Sequence, residues 1–153
     1  MFHSLMRMFA TPEPPLRPPH TKLSVAVLML EAARQDDHFD PSERVVIEKL
    51  LASRFSLMPL ELTRLMAAAE ARSAQLVQLH GHTSDVAHEM SPDQRVGLIE
   101  MLWEVAYADG VLDPEEDHLI RRISGLVYVS DRDRVLARQR VLARREQQGS
   151  QQK

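Results

Sequence analysis

Residues 31–47 read EAARQDDHFDPSERVVI, and residues 104–120 read EVAYADGVLDPEEDHLI. Seven of the seventeen paired positions are identical at an offset of 73: Glu31/Glu104, Ala33/Ala106, Asp36/Asp109, Asp40/Asp113, Pro41/Pro114, Glu43/Glu116 and Ile47/Ile120. In each copy a helical stripe runs into a short acidic bend, and Asp-Pro then opens a second helical stripe. Asp is a favoured N-cap. Pro is tolerated at the first helical position because its missing N–H has no partner to lose there, and Glu two residues later completes a capping box. The duplicated unit is a helix, a tight turn and a second helix. One pair of such units predicts a pseudo-twofold arrangement of hairpins, not an extended solenoid.

The flanks carry the same period. Leu28, Met29, Ala32 and Ala33 share one helical face, as do Val46, Ile47, Leu50 and Leu51. Leu62, Leu65, Met66 and Ala69 form a third stripe, which runs on to Leu76, Val77 and Leu79. Leu98, Leu102, Val105 and Ala106 form a fourth, with Trp103 beside it. Leu119, Ile120, Ile123, Leu126 and Val127 give a fifth, and Val135, Leu136, Gln139, Leu142 and Ala143 a sixth. Apolar residues recurring at three and four are the mark of amphipathic helices, and no run alternates with a period of two. Ser91-Pro92-Asp93-Gln94 repeats the capping pattern, and Ser130 is placed to open the last helix. Helices are expected at 23–36, 41–55, 59–79, 92–108, 114–127 and 131–146. Residues 80–89 read as a polar connection with room for a short helix. The fold class is all-α, a bundle of about six to seven helices.

The chain has 153 residues, one domain's worth, with 44% apolar and 27% charged residues, as expected of a folded globular chain. It has no cysteine, which removes disulfides, thiolate metal sites and thiol nucleophiles together. The longest apolar run, Val25 to Leu30, is too short to span a bilayer, and the start lacks the continuous apolar core of a signal peptide. A cytoplasmic location is the expectation. Pro12, Pro14, Pro15, Pro18 and Pro19 mark an extended linker after a small apolar cluster of Phe2, Leu5, Met6, Met8 and Phe9. The expected organisation is a Pro-rich segment over 1–22, an all-α domain over 23–146 and a disordered tail over 147–153.

Charge is uneven along the chain. Residues 1–22 carry +2, residues 23–130 carry −9, and residues 131–153 carry +4. An acidic body between basic ends attracts cations and repels nucleic acid.

Helix capping alone accounts for Asp40, Asp113, Glu43 and Glu116. Asp36 and Asp109 are different, because they fall at helix C-termini, where the dipole disfavours an anion. Gly110 suits the left-handed position after such a helix, and Asp37 is a tolerable substitute. Carboxylates spaced in this way concentrate hard oxygen donors, which suit Mg2+, Ca2+ or Mn2+. The pattern is not an EF-hand: counting from Asp36 or Asp109, the twelfth position is Ile47 or Ile120 and the sixth is Pro41 or Pro114.

The acidic unit AYADGVLDPEE, preceded at the same offset by AARQDDHFDPSE in an all-helical body, resembles the TerB-like tellurite-resistance family. That family is similar to the TerB-like domain of DjlA-type cochaperones. The likeness covers about residues 23–145. It implies an all-α domain with pseudo-twofold symmetry, a role in a stress response tied to metal or tellurite resistance, and divalent-cation binding by the acidic turns. Carried over by position, the ligands it implies are Asp36, Asp40 and Glu43 in the first turn and Asp109, Asp113 and Glu116 in the second. By position alone, Glu31 and Glu104 lie about a turn and a half earlier, able either to reach the same space as second-shell candidates or to pair with a base instead. The first turn departs from the pattern, with Asp37 in place of Gly and Gln35 before the Asp.

Other constellations carry less. His80, His82 and His88 with Glu89 read as a solvated loop, since no two histidines have the spacing of a helical metal motif. His38 and His118 lie beside the two acidic turns and read as surface residues. No nucleophile motif, phosphate loop or dinucleotide fingerprint appears, so a non-enzymatic role is expected, with no small-molecule substrate. The last helix carries Arg132, Arg134, Arg138, Arg140, Arg144 and Arg145. It reads as a packed amphipathic helix with a basic side, and no interleaved aromatic is present for stacking on bases. Protein partners are the expected mode of action. The runner-up reading is a metal-free interaction scaffold, and a weaker third is anionic membrane or nucleic-acid contact. The third would use the last helix, or the first residues lying at a membrane surface.

Overall fold

The computed structural model describes residues 20–34, 41–74, 80–108, 110 and 112–151. Among them are seven helices and no strand: α1 (His20–Ala33), α2 (Pro41–Phe55), α3 (Pro59–Ala74), α4 (His80–Glu89), α5 (Pro92–Ala106), α6 (Pro114–Leu126) and α7 (Asp131–Gln151). The fold is an all-α bundle. The expected starts at 41, 59, 92, 114 and 131 are all met. α1 begins at His20 rather than residue 23, and α7 runs to Gln151 rather than stopping at 146. The stripe continuation Leu76, Val77 and Leu79 lies outside the described residues, as does the N-terminal segment over residues 1–19.

The starts are set by caps. Ser91 and Gln94 form a reciprocal capping box: Gln94 N–H donates to Ser91 Oγ at 3.2 Å and Ser91 N–H to Gln94 Oε1 at 2.9 Å. Asp113 Oδ1 accepts from Glu115 N–H at 2.8 Å, and Ser130 Oγ accepts from Asp133 N–H at 3.1 Å. At α3, Glu61 Oε1 reaches back to Met58 N–H at 3.0 Å.

Two helix ends share one device. α2 closes on Ser56 (φ 51°) and α6 on Tyr128 (φ 61°), both non-glycine residues in the left-handed region. Leu57 N–H then donates to Ala52 C=O at 3.0 Å, and Val129 N–H to Ser124 C=O at 2.9 Å. These six-to-one bonds are those of the Schellman motif, with an apolar residue in the position that packs back on the helix.

The packing obeys the same offset. α1 packs on α3 as α5 packs on α7, α1 on α2 as α5 on α6, and α2 on α5 as α6 on α1. α1 and α5 lie at the centre and also pack on each other. Every residue of α1 from Ser24 to Leu30 is buried, and Leu98, Ile99, Leu102, Trp103, Val105 and Ala106 are buried in α5. A helix apolar all round belongs in a core, which is why the longest apolar run of the sequence is the middle of the protein and not a membrane segment. No described helix is long and apolar enough to cross a membrane.

α4 is the short helix for which residues 80–89 had room, and it is packed where a solvated connection was expected. It is a helix seated on α1 and α6, with His82, Thr83, Val86 and Met90 buried on one side. Two of those four are polar, so their helical spacing is invisible to a count of apolar residues.

Candidate functional site

The acidic turns join α1 to α2 and α5 to α6. Asp36, Asp40 and Asp109 lie outside the described residues, as do Gln35, Asp37 and His38. Gly110 adopts φ +87°, the left-handed conformation expected of it, with its N–H donating to Tyr107 C=O at 2.9 Å. Asp113 sits in extended backbone as the N-cap of α6.

Glu43 and Glu116 occupy the third positions of α2 and α6, and they are only 1% and 2% exposed. Gln94 holds the same position in α5 and is exposed. Position within the first turn therefore does not by itself bury a side chain. Burying a carboxylate costs several kcal/mol unless its charge is compensated. The first-turn N–H groups and the helix dipole supply part of that compensation. The duplicated pair of buried carboxylates is the property of the turns that a reading of the sequence as caps leaves out.

Glu31 and Glu104 face the third helix of each half. Glu31 accepts from Ser73 Oγ of α3, whose oxygen also accepts from Arg34 Nη1 at 3.1 Å. Glu104 Oε1 accepts from Arg144 Nη2 of α7 at 2.7 Å, and Arg144 also bonds Glu100. Burial lowers the pKa of Arg144, but the hydrogen bonds to Glu104 and Glu100 outweigh it, so its charge is held more firmly than usual. Arg44 is raised above its ordinary value first by its hydrogen bond to Glu70. Among the described residues, no three His, Asp or Glu side chains converge closely enough to hold a metal ion.

Beside the second turn, Pro114, Glu115, His118, Leu119 and Arg122 line a shallow hollow of about 280 Å3 on α6. His118 is exposed there, as expected. His82 is not the solvated residue expected of it, being 7% exposed against α1. Ser24 Oγ lies 3.0 Å from His82 Nδ1 and donates to Asp85 Oδ2 at 3.1 Å. A hydroxyl has one proton to give, so the Nδ1 contact requires the imidazole to donate there. The hydroxyl stands between imidazole and carboxylate, and Ser24 is 1% exposed. That order does not activate a nucleophile, which needs its base oriented by the carboxylate from behind. The cluster pins α4 to α1. The sequence signal for it was a serine directly before the apolar run Val25 to Leu30.

The basic face of α7 is largely spent inside the molecule. Arg140 Nε bonds Glu100 at 3.1 Å, and Arg134 Nη1 pairs with Asp131 at 2.6 Å. Arg138 lies 5.6 Å from the Trp103 ring centroid and donates from Nε to Tyr107 Oη at 2.7 Å. Trp103 Nε1 donates to Arg134 C=O at 3.2 Å.

Fold and site together define an all-helical module in which the third residues of α2 and α6, Glu43 and Glu116, are both buried. The family model described as tellurite resistance protein TerB matches residues 22–139, and the chain belongs to this family. No curated protein and no solved structure matches the chain.

Proposed function

We propose that this chain is a non-enzymatic cytoplasmic module that binds a divalent cation at its duplicated acidic turns and acts through protein partners in a response to metal or tellurite stress. The observation that carries the reading is the burial of Glu43 and Glu116 at equivalent positions of the two halves. A carboxylate withdrawn from water, in a stretch of sequence that carries further carboxylates, favours a cation, because each added anion would raise the cost of the others. The donors are carboxylates in a chain without cysteine, so the guest is a hard ion: Ca2+, Mg2+ or Mn2+. Asp36, Asp40 and Glu43 would hold one ion, and Asp109, Asp113 and Glu116 the other. Membership of the TerB family supports the stress role by its name.

The test is thermal melting of the full chain, first with chelator and then with each cation. An ion at about 100 times its dissociation constant adds roughly 2.7 kcal/mol. At about 2–4 °C per kcal/mol for a chain of this size, the midpoint should rise by about 5–10 °C. Glu43→Gln with Glu116→Gln should abolish the rise. A midpoint indifferent to all three ions points instead to a metal-free scaffold, a reading favoured by the cap that Asp113 already makes with Glu115 N–H.

A further inference from the structure

The two halves differ at the corner where the second helix of each passes to the third. α2 closes on the left-handed Ser56 and α6 on the left-handed Tyr128, so Met58 and Leu60 at the start of α3 correspond to Ser130 and Arg132 at the start of α7. Ser130 and Arg132 are exposed, and Ser130 Oγ caps α7 by accepting from Asp133 N–H at 3.1 Å. Met58 has no oxygen with which to do the same for α3, and a residue without one is a poor choice before a first turn. Leu57 packs back on the core as Val129 does in the other half, so the fold calls for an apolar residue there. It does not call for one at 58 or 60. Yet Met58 and Leu60 are 66% and 61% exposed, and after Tyr128 they are the most exposed large apolar side chains among the described residues.

Three cations frame this corner. Lys22 Nζ and the Arg54 guanidinium lie 5.7 and 6.0 Å from the centroid of the Phe55 ring, and Arg64 stands one turn beyond Leu60 on the same face of α3. Among the described residues none of the three makes an ion pair. Glu61 turns its carboxylate back to Met58 N–H at 3.0 Å. Residues 23–130 carry −9 in all, so the positive charge here is local to the corner. We propose that the corner rests on an anionic lipid surface, with Met58 and Leu60 entering the headgroup boundary and Lys22, Arg54 and Arg64 meeting the lipid phosphates. Charge and area choose this occupant. Two side chains fall far short of the about 800 Å2 that each partner of a stable protein pair gives up. A bilayer accepts a few apolar side chains when basic residues beside them add attraction to anionic headgroups. The long stems of Lys and Arg let their charges stay at the headgroups while the apolar pair goes deeper. A second copy of the chain would bring the same cations face to face.

The test uses the full chain and vesicles of equal parts phosphatidylcholine and phosphatidylglycerol at low salt, with pure phosphatidylcholine vesicles as the uncharged reference. The chain should sediment with the mixed vesicles and not with the reference. Met58→Ser with Leu60→Ser should weaken that binding at least about tenfold, and Arg54→Gln with Arg64→Gln should weaken it to a similar degree, about tenfold. Met58→Ser installs the residue that caps α7, so the first pair should keep the melting midpoint of the wild type, which separates lost binding from lost fold. The chain has no cysteine, so Leu60→Cys and, in a separate chain, Arg132→Cys each carry a single environment-sensitive fluorophore at matching corners. The label at 60 should shift to the blue on the mixed vesicles and the label at 132 should not. No sedimentation with the mixed vesicles overturns the proposal, as does equal sedimentation with the uncharged ones. Binding that survives both paired variants overturns it too, and so does a label at 132 that shifts as far as the one at 60, which hands the contact to α7.

Discussion

Glu43 and Glu116 stand 73 positions apart, each at the third residue of a helix that follows an acidic turn, and both are closed off from water. Neither contributes as an ordinary first-turn acid, which gains a few tenths of a kcal/mol from the dipole at an exposed site. Removing a buried carboxylate leaves its hydrogen-bonding neighbours unsatisfied, at a cost of about 1–3 kcal/mol. Glu43→Ala and Glu116→Ala should each lower the urea-unfolding free energy by that amount, whereas Glu115→Ala, one residue away and exposed, should change it by less than about 0.5 kcal/mol. Equal effects at 115 and 116 would show that burial at this position carries no weight.

The left-handed residues at Ser56 and Tyr128 lead to a stabilising substitution. A side chain in this region costs about 1–2 kcal/mol relative to a relaxed conformation, and glycine avoids the clash. Glycine gives back part of that gain through the freedom of the unfolded chain. Tyr128 is 76% exposed, so little packing is lost with its ring. Tyr128→Gly should raise stability by up to about 1 kcal/mol, or about 2–4 °C in melting midpoint. Tyr128→Ala keeps the Cβ and should not. A gain with Ala as large as with Gly would mean that backbone strain is not what the substitution relieves.

Much of this architecture was legible in the chain. The starts of α2, α5, α6 and α7 fell where Asp-Pro, Ser-Pro and Ser130 placed them, because caps are local chemistry. α4 was not legible as a packed helix, since its buried side includes His82 and Thr83, whose burial depends on Ser24 and Asp85 and not on apolarity. The acids of the site were readable as a duplicated pattern. The depth of Glu43 and Glu116 was not, because a capping box looks the same in sequence whether its glutamate points to water or is packed over. Of the two readings open for Glu31 and Glu104, Glu104 meets a base, Arg144, and Glu31 meets Ser73. Their helical face turns toward α3 and α7, and the partners that hold them there, Ser73 and Arg144, are about 40 residues distant in the chain.

Trp103 joins α5 to α7 by both faces of its chemistry. Its ring fills the core under Arg138, and its Nε1 donates to the Arg134 carbonyl. Trp103→Phe keeps most of the apolar volume and loses the hydrogen bond to the Arg134 carbonyl, so it should cost about 1–3 kcal/mol through that bond and some lost packing. Trp103→Ala should cost about 3–5 kcal/mol through the cavity. A double variant with Arg138→Ala separates the terms: if the guanidinium contact with the ring contributes, the two substitutions will fall short of additive by about 0.5–1 kcal/mol.

The pairs between α5 and α7 should respond to salt where the core does not. Glu100 and Glu104 meet Arg140 and Arg144 on a partly exposed surface, where one such pair contributes at most about 1 kcal/mol. Arg144 engages both acids at once, so Arg144→Gln should cost more than Arg140→Gln, yet still about 1 kcal/mol or less at low ionic strength. At about 1 M salt the Debye length shrinks to about 3 Å, and the difference between wild type and Arg144→Gln should largely disappear. Persistence of the full difference at high salt would assign the contribution of Arg144 to the packing of its aliphatic stem on α5 instead of to its charge.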